Sequence, residues 1–204
     1  MKFSKIAMIT IAMVMLLSFG AYAQTGPIDK GSIMLGGGFQ YTSASGDLYE
    51  NFDGDGPTTM IFSPSFGYFF IPSLAFGIDM DLTSTSLGDY SMSDMGVGPT
   101  VMYFFDLKKD EKDSKGKIYP YVGAGFYYVT STMDSGDPDS EEAKKSGTRI
   151  VAAGGATFML SSAVGAYGEL FYSADSEKHT DPIETDSESG SKLGFEVGVR
   201  AFIF

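Results

Sequence analysis

Eight stretches of the chain alternate between bulky apolar residues and other residues, and every ionisable residue within them occupies a non-apolar position. Because a β-strand exposes alternate residues to opposite faces, one face of the predicted sheet accepts charge and the other excludes it. The pattern predicts eight strands and favours an all-β barrel in a membrane. The charged residues on the first face are Asp79, Asp81, Asp94, Arg149, Glu169, Glu196 and Arg200.

Each predicted strand is long enough to cross a bilayer as a tilted strand of roughly 9 to 11 residues. The Pro72-Ser73 pair between the second and third strands predicts a tight hairpin. The third strand carries its apolar row from Leu74 to Leu82, and the eighth from Leu193 to Ile203. The other six are Gly31–Ser43, Thr58–Phe70, Asp94–Phe105, Ile118–Thr130, Thr148–Leu160 and Ala163–Ser173.

The predicted connections alternate in length, which is a second and independent indication of a barrel. Those after the odd strands are long and acidic, with about 13 net negative charges, over residues 44–57, 84–93, 131–147 and 174–191. Those after the even strands cover 71–73, 106–117 and 161–162. The connection 106–117 is a longer, lysine-rich turn that we expect to be solvated. Short periplasmic turns and long outer loops are typical of bacterial outer-membrane barrels.

The N-terminus has the features of a cleaved secretory signal peptide. Lys2 and Lys5 precede an apolar run from Ile6 to Phe19, and Ala21 and Ala23 occupy the two positions that a signal peptidase reads. The run is shorter than the roughly 20 residues that span a bilayer as a helix. We therefore expect residues 1–23 to be removed and residues 24–204 to form one barrel domain.

Composition limits the possible partners and linkages. The chain has no cysteine, which excludes disulfides and a lipid anchor on an N-terminal cysteine. Its net charge is −12, and no basic patch could neutralise a phosphate backbone, so nucleic acid is not expected as a partner. No other stretch reaches the length of a transmembrane helix, which leaves a closed barrel as the way to span a bilayer.

Several stretches resemble the outer-membrane protein β-barrel domain family, relatives of the small OmpA/OmpX-type barrels. They are GSIMLGGGFQYTS (31–43), FSPSFGYFFIPSLAFGIDMDLT (62–83), GVGPTVMYFF (96–105), YPYVGAGFYY (119–128) and GFEVGVRAFIF (194–204). The resemblance implies eight antiparallel up-and-down strands, periplasmic termini, and insertion by the barrel assembly machinery through a C-terminal aromatic signal, here Phe202 and Phe204. Both residues are out of step with the apolar row, so we expect a β-bulge near Arg200 or Ala201 to restore the register.

Alternation alone leaves open which face is outside, since a soluble lipocalin-like barrel would turn its apolar row inward around a ligand. Two features favour the membrane. The non-apolar face is rich in glycine, which suits the narrow interior of an eight-stranded barrel. Aromatic residues also gather near the segment ends, as they do at membrane interfaces.

Charges inside so narrow a barrel must pair with one another. We predict an ion network linking Arg149, Glu169, Glu196 and Arg200 across the last three strands. Asp79 and Asp81 are the other charges of this predicted plug. Its expected role is to seal the lumen and fix the strand register, in preference to gating a pore.

Two loop motifs are weaker candidates for chemistry. Asp53 and Asp55 lie in a copy of the first half of an EF-hand calcium loop, but the position of its bidentate glutamate holds Phe62. We interpret this segment as a turn-forming sequence that binds cations weakly at most, and we expect no metal or cofactor. His179, the only histidine, has Ser176, Thr180 and Asp181 nearby, yet the spacing matches no nucleophile motif.

These observations favour a non-enzymatic, monomeric outer-membrane barrel with a structural role or a surface-contact role through its acidic loops. Its expected partners are outer-membrane lipids and lipopolysaccharide, together with the assembly machinery during biogenesis. The alternatives are a porin-like or hydrophobic-molecule transporter and an outer-membrane lipid-modifying enzyme. A transporter requires a continuous polar lumen, and an enzyme requires His179 fixed beside a nucleophile.

Overall fold

The computed structural model describes residues 26–45, 59–87, 90–107, 113–134, 143–179 and 187–204. These residues form a closed antiparallel barrel in which each strand pairs with its neighbours in sequence and the first pairs with the last. Within these ranges no helix is long and apolar enough to cross a membrane. The strands are β1 (Ile33–Ser45), β2 (Thr59–Ile71), β3 (Leu74–Leu87), β4 (Tyr90–Phe104), β5 (Ile118–Asp134), β6 (Ala143–Met159), β7 (Val164–His179) and β8 (Ser187–Ile203).

The apolar row faces outward, so the lipocalin-like alternative is wrong. Large apolar side chains such as Phe39, Ile78 and Leu170 are exposed on the outer wall, while the alternate positions are buried inside. On β8 the outward row runs from Leu193 to Ile203, about 33 Å along the strand. At a tilt near 40° this gives an apolar band of about 25 Å, the height of the hydrocarbon-facing band of outer-membrane barrels.

Several strands extend further than predicted at the end opposite the short turns. β5 continues to Asp134, β6 begins at Ala143, β7 continues to His179 and β8 begins at Ser187. The predicted connection at 84–93 is for the most part a hairpin, whose last backbone pair is Leu87 with Tyr90. These extensions carry no apolar row because they lie beyond the apolar band, which is why alternation of hydrophobicity does not detect them.

The short-turn end is closed by the segment 26–32, which we call the N-terminal strap. Ile28 lies buried beneath the barrel, and its carbonyl accepts a 2.7 Å hydrogen bond from the Ser73 amide. The Gly31 amide donates to the Phe69 carbonyl at 2.8 Å. Ser73 has a positive φ of 70°, as the tight Pro72-Ser73 turn requires.

The lysine-rich turn is less solvated than predicted where the structure describes it. Lys117 is buried, and the amide of Met159 donates to its carbonyl at 2.9 Å. The amide of Gly116 in turn donates to the Met159 carbonyl at 2.8 Å. The end of this turn therefore continues the sheet instead of extending away from it.

The predicted bulge near Arg200 is wrong. β8 pairs in unbroken register with β1, from Ala201 opposite Leu35 to Ile203 opposite Ile33. It is equally regular against β7, where Ala201 faces Val164. Phe202 consequently points into the lumen, where an apolar floor accommodates its ring, and no change of register is needed.

The inner wall requires glycine where neighbouring strands approach closely. A Cβ on Gly98 would lie 1.9 Å from the carbonyl oxygen of Phe126 and 2.6 Å from Cα of Tyr127, both backbone atoms. We expect Gly98→Ala to lower the free energy of unfolding by about 1–3 kcal/mol, because the two strands must separate locally. The measurement is urea unfolding from phospholipid vesicles.

Gly168→Ala is the matched control for this prediction. Gly168 is exposed on the outer wall, and a Cβ there meets no atom within 4 Å. The expected change is within about 0.5 kcal/mol. Equal effects at both glycines would contradict the close approach of β4 and β5.

Candidate functional site in the barrel lumen

The lumen contains the charged residues, and the first group of them surrounds Arg149 on β6. Its Nη1 pairs with Asp81 Oδ2 at 2.8 Å, and its Nε pairs with Asp175 Oδ1 at 2.5 Å. Lys192 approaches the other oxygen of Asp175 at 3.4 Å. Asp175 is completely buried, so its charge depends on these two cations.

We call the group of Asp81, Arg149, Asp175 and Lys192 the upper cluster, and polar side chains connect it to the opposite wall. Gln40 Nε2 donates to Asp81 Oδ1 at 2.9 Å, and Ser63 Oγ donates to the same oxygen at 3.0 Å. Asp79, two residues before Asp81 on β3, accepts from the Tyr127 hydroxyl at 3.4 Å. The upper cluster thus joins β1, β2, β3, β6, β7 and β8 across the barrel.

A second group surrounds Arg200 on β8, nearer the short turns. Its guanidinium lies 4.2 Å from the ring centroid of Tyr121 and 3.9 Å from that of Tyr167. Nη2 pairs with Glu169 Oε2 at 3.6 Å, and the Tyr167 hydroxyl donates to Glu196. Stacking on two aromatic rings and pairing with one carboxylate is a planar arrangement that suits arginine better than lysine.

An apolar floor lies below Arg200. Its rings stack in tilted pairs, with Phe69 and Phe104 at 5.5 Å and Phe104 and Tyr121 at 5.1 Å between centroids. Phe204 packs against the floor from the edge. The buried members are Ile28, Met34, Phe69, Ala75, Met102, Phe104, Tyr119, Tyr121, Met159 and Phe202.

The space left between the two charged groups is small. A lumen cavity between them measures about 50 Å³ and is lined by both arginines, Asp79, Glu169 and Glu196. A buried water needs roughly 10–15 Å³ of such space, so a few waters fit and a sugar does not. Within the described residues, no group of three or more histidine, aspartate and glutamate side chains is placed to hold a metal ion.

The predicted network differs from these contacts in its partners. Arg200 pairs with Glu169, whereas Glu196 accepts from Tyr167, and Arg149 lies a layer above with Asp81 and Asp175. Asp175 and Lys192 also belong to this network, although the alternation of apolar residues does not point to them. Asp175 lies within the predicted connection 174–191 and Lys192 directly after it, although both continue the inward parity of Ser173 and Gly194.

The remaining predicted residues lie elsewhere. His179 is the last residue of β7, opposite Lys145 in the ladder, and not part of a long loop. Asp94 faces inward on β4 above the Arg149 cluster, near Glu177 and Lys192. Ala21, Ala23, Asp53, Asp55, Thr180 and Asp181 lie outside the described residues.

No protein-family model and no curated protein matches the chain. Among solved structures, it is similar to Neisserial surface protein A, with 17% identity and a TM-score of 0.58 over 86% of this chain and 100% of that one. It is also similar to Ail of Yersinia pestis, with 12% identity and a TM-score of 0.51 over 84% and 99% of the two chains. OprG of Pseudomonas aeruginosa is similar too, with 12% identity and a TM-score of 0.51 over 87% of this chain and 99% of that one. At these identities the likeness shows the fold, that of small eight-stranded outer-membrane β-barrels.

Proposed function

We propose that this protein is a non-conducting, non-enzymatic barrel of the bacterial outer membrane, with a structural role in the envelope and surface contacts made by its acidic loops. The proposal rests above all on one observation, the filled lumen. Two charged groups and an apolar floor follow one another along the axis, and the cavity that both arginines line is only about 50 Å³.

The outer wall supports the membrane part of the proposal. Its exposed apolar band would be an aggregation surface in water, yet it suits hydrocarbon. Aromatic pairs lie near both edges of the band. The ring centroids of Tyr68 and Phe70 are 4.8 Å apart at the short-turn edge, and those of Tyr41 and Phe195 are 5.5 Å apart at the other edge. Aromatic girdles of this kind mark the two interfaces of outer-membrane barrels.

The charge of the loops indicates what kind of surface they could contact. One solved structure of Ail is a complex with the heparin analogue sucrose octasulfate, a polyanion. The net charge of −12 in the present chain, concentrated in the four connections at the extended end, would repel such a ligand. We therefore propose basic surfaces, or anionic ones bridged by divalent cations, as contact partners of these loops.

We expect the purified protein to show no conductance steps in planar bilayers and no sugar-dependent swelling of liposomes, because side chains interrupt the lumen. A porin of 16 strands, whose barrel leaves an aqueous channel, is the positive control for both assays. Folding of the test protein is checked by its heat-modifiable gel mobility. Swelling in sugars by heat-modifiable protein would contradict the proposal and favour the porin-like alternative.

A further inference from the structure

Hydroxyl side chains surround the outer wall just beyond the apolar band. On β4 to β8, ten outward positions with described side chains follow the last large apolar residues, and eight of them are serine or threonine. The other two are Ala174 and Lys178. We call this surface the hydroxyl collar; its members are Ser93, Thr130, Thr132, Ser146, Thr148, Ser176, Ser189 and Ser191.

The strand register makes the collar continuous around five strands. Ser93 is paired with Thr132, and Thr130 with Ser146 on the next strand. Thr148 is then paired with Ser176, and Ser176 with Ser189. On β7 the outward positions from Ala174 to Lys178, which flank the collar residue Ser176, span about 13 Å along the strand, or about 10 Å in height at a tilt near 40°.

The charged side chains at the same level of these strands face the other way. One charged side chain, Lys178, faces outward among these described positions, and seven face inward: Asp94, Lys145, Arg149, Asp175, Glu177, Glu188 and Lys192. Some of them form close inward pairs, such as Lys145 with Glu188 at 2.6 Å. A sheet surrounded by water would carry its charges on the wet outer surface and avoid the cost of burying them.

We propose that the collar lies within the saccharide headgroups of an outer-leaflet glycolipid. This inference rests on the proposed function, because it needs the apolar band to be in the membrane. The collar continues directly from that band on the same face of the sheet, so it meets whatever layer covers the hydrocarbon. Serine and threonine hydroxyls both donate and accept, as do those of a sugar. Phosphate recognition would call for arginine or several lysines, and the described collar positions hold one lysine.

Site-directed labelling tests this directly, since the chain has no cysteine of its own. Ser176→Cys and Ser189→Cys each carry a fluorescent label in the collar, and Leu170→Cys carries it in the apolar band. The proteins are folded into three kinds of vesicle: phosphatidylcholine, phosphatidylcholine with phosphatidylglycerol, and phosphatidylcholine with lipopolysaccharide truncated after the inner core. Phosphatidylglycerol matches the negative charge of the glycolipid without its sugars. The readout is quenching by acrylamide, a neutral solute.

We expect several-fold slower quenching of both collar labels in the glycolipid vesicles than in either phospholipid vesicle, and slow quenching of the Leu170→Cys label in all three. Equal quenching of the collar labels in all vesicles would overturn the inference and leave the membrane barrel standing. Protection in phosphatidylcholine that increases with protein density would also overturn it, because the collar would then be a contact between copies of the chain. Fast quenching at the Leu170 position of heat-modifiable protein would overturn the proposed function itself.

Discussion

Arg149→Met is expected to lower the free energy of unfolding by about 3–5 kcal/mol, since removing one partner of a buried ion pair leaves an uncompensated charge. Arg149 is the cation shared by Asp81 and Asp175, and all three side chains are nearly inaccessible. Methionine retains much of the length of the side chain, so the loss reports charge and hydrogen bonding more than volume. The measurement is urea unfolding from vesicles, followed by the heat-modifiable gel shift.

Lys145→Met is the matched control. Lys145 pairs with Glu188 at 2.6 Å, but both side chains are partly exposed at the mouth of the barrel. Exposed pairs contribute at most about 1 kcal/mol. An Arg149→Met cost no larger than that of Lys145→Met would show that the upper cluster contributes little to stability.

The double variant Arg149→Met with Asp81→Asn tests the reason for the loss. Neutralising Asp81 removes one of the two stranded carboxylates, and Asp175 keeps Lys192 as a partner at 3.4 Å. We expect the double variant to recover part of the lost stability. A further loss equal to that of Asp81→Asn alone would mean that the two residues do not interact.

The parity of apolar residues was sufficient to predict the eight strands and to place all seven segregated charges on one face of the sheet. The glycine content of that face and the aromatic residues at the segment ends were needed to place it inside, and the antiparallel order was implied by the family resemblance. Parity succeeded because lipid on one side and a packed lumen on the other impose opposite demands on alternate residues. The dependence on lipid also limits how far along each strand the prediction reaches. Beyond the apolar band no hydrocarbon selects for apolar residues, so the extensions of β5 to β8 resemble acidic loops.

The difference between the predicted network and the observed contacts follows from that limit. Asp175 lies within the predicted connection 174–191 and Lys192 directly after it, so the strand pattern offers neither as a partner for Arg149. The pairing of lumen charges also depends on which opposing strands the side chains reach across the barrel. Asp81 and Arg149 are 68 residues apart in sequence, and strand order alone does not reveal their contact. The N-terminal strap was missed because Ile28 lies outside any alternating segment.

The lumen becomes less polar from the extended end to the short turns, and this gradient explains its closure. Arg149 and its carboxylates lie towards the extended end. Arg200 lies between them and the floor, where the faces of Tyr121 and Tyr167 replace part of its hydration. Below it the rings of Phe69, Phe104 and Phe202 and the side chain of Ile28 leave the lumen with an apolar end.

Phe202→Ala is expected to lower the free energy of unfolding by about 3–5 kcal/mol, the usual cost of truncating a buried phenylalanine. The Phe202 ring is 2% exposed and lies 6.5 Å from the ring of Phe69 between centroids. Its amide donates to the Ala163 carbonyl at 2.7 Å, and a substitution of the side chain leaves this bond in place. The loss should therefore reflect the cavity that is left in the floor.

Phe202→Leu separates this packing role from the predicted role in the C-terminal assembly signal. Leucine keeps most of the apolar volume, so the purified variant should lose less than about 1.5 kcal/mol. If the assembly machinery instead recognises the aromatic ring of Phe202, both variants lack the signal. Both would then insert poorly into the membrane of living cells, whatever the stability of the purified proteins. Phe204→Ala completes the comparison, because Phe204 is only partly buried where it packs against the floor. Normal insertion of Phe202→Leu together with poor insertion of Phe204→Ala would assign the floor to Phe202 and the assembly signal to Phe204. An equal loss of stability in Phe202→Ala and Phe202→Leu would contradict the packing argument, since leucine leaves the smaller cavity.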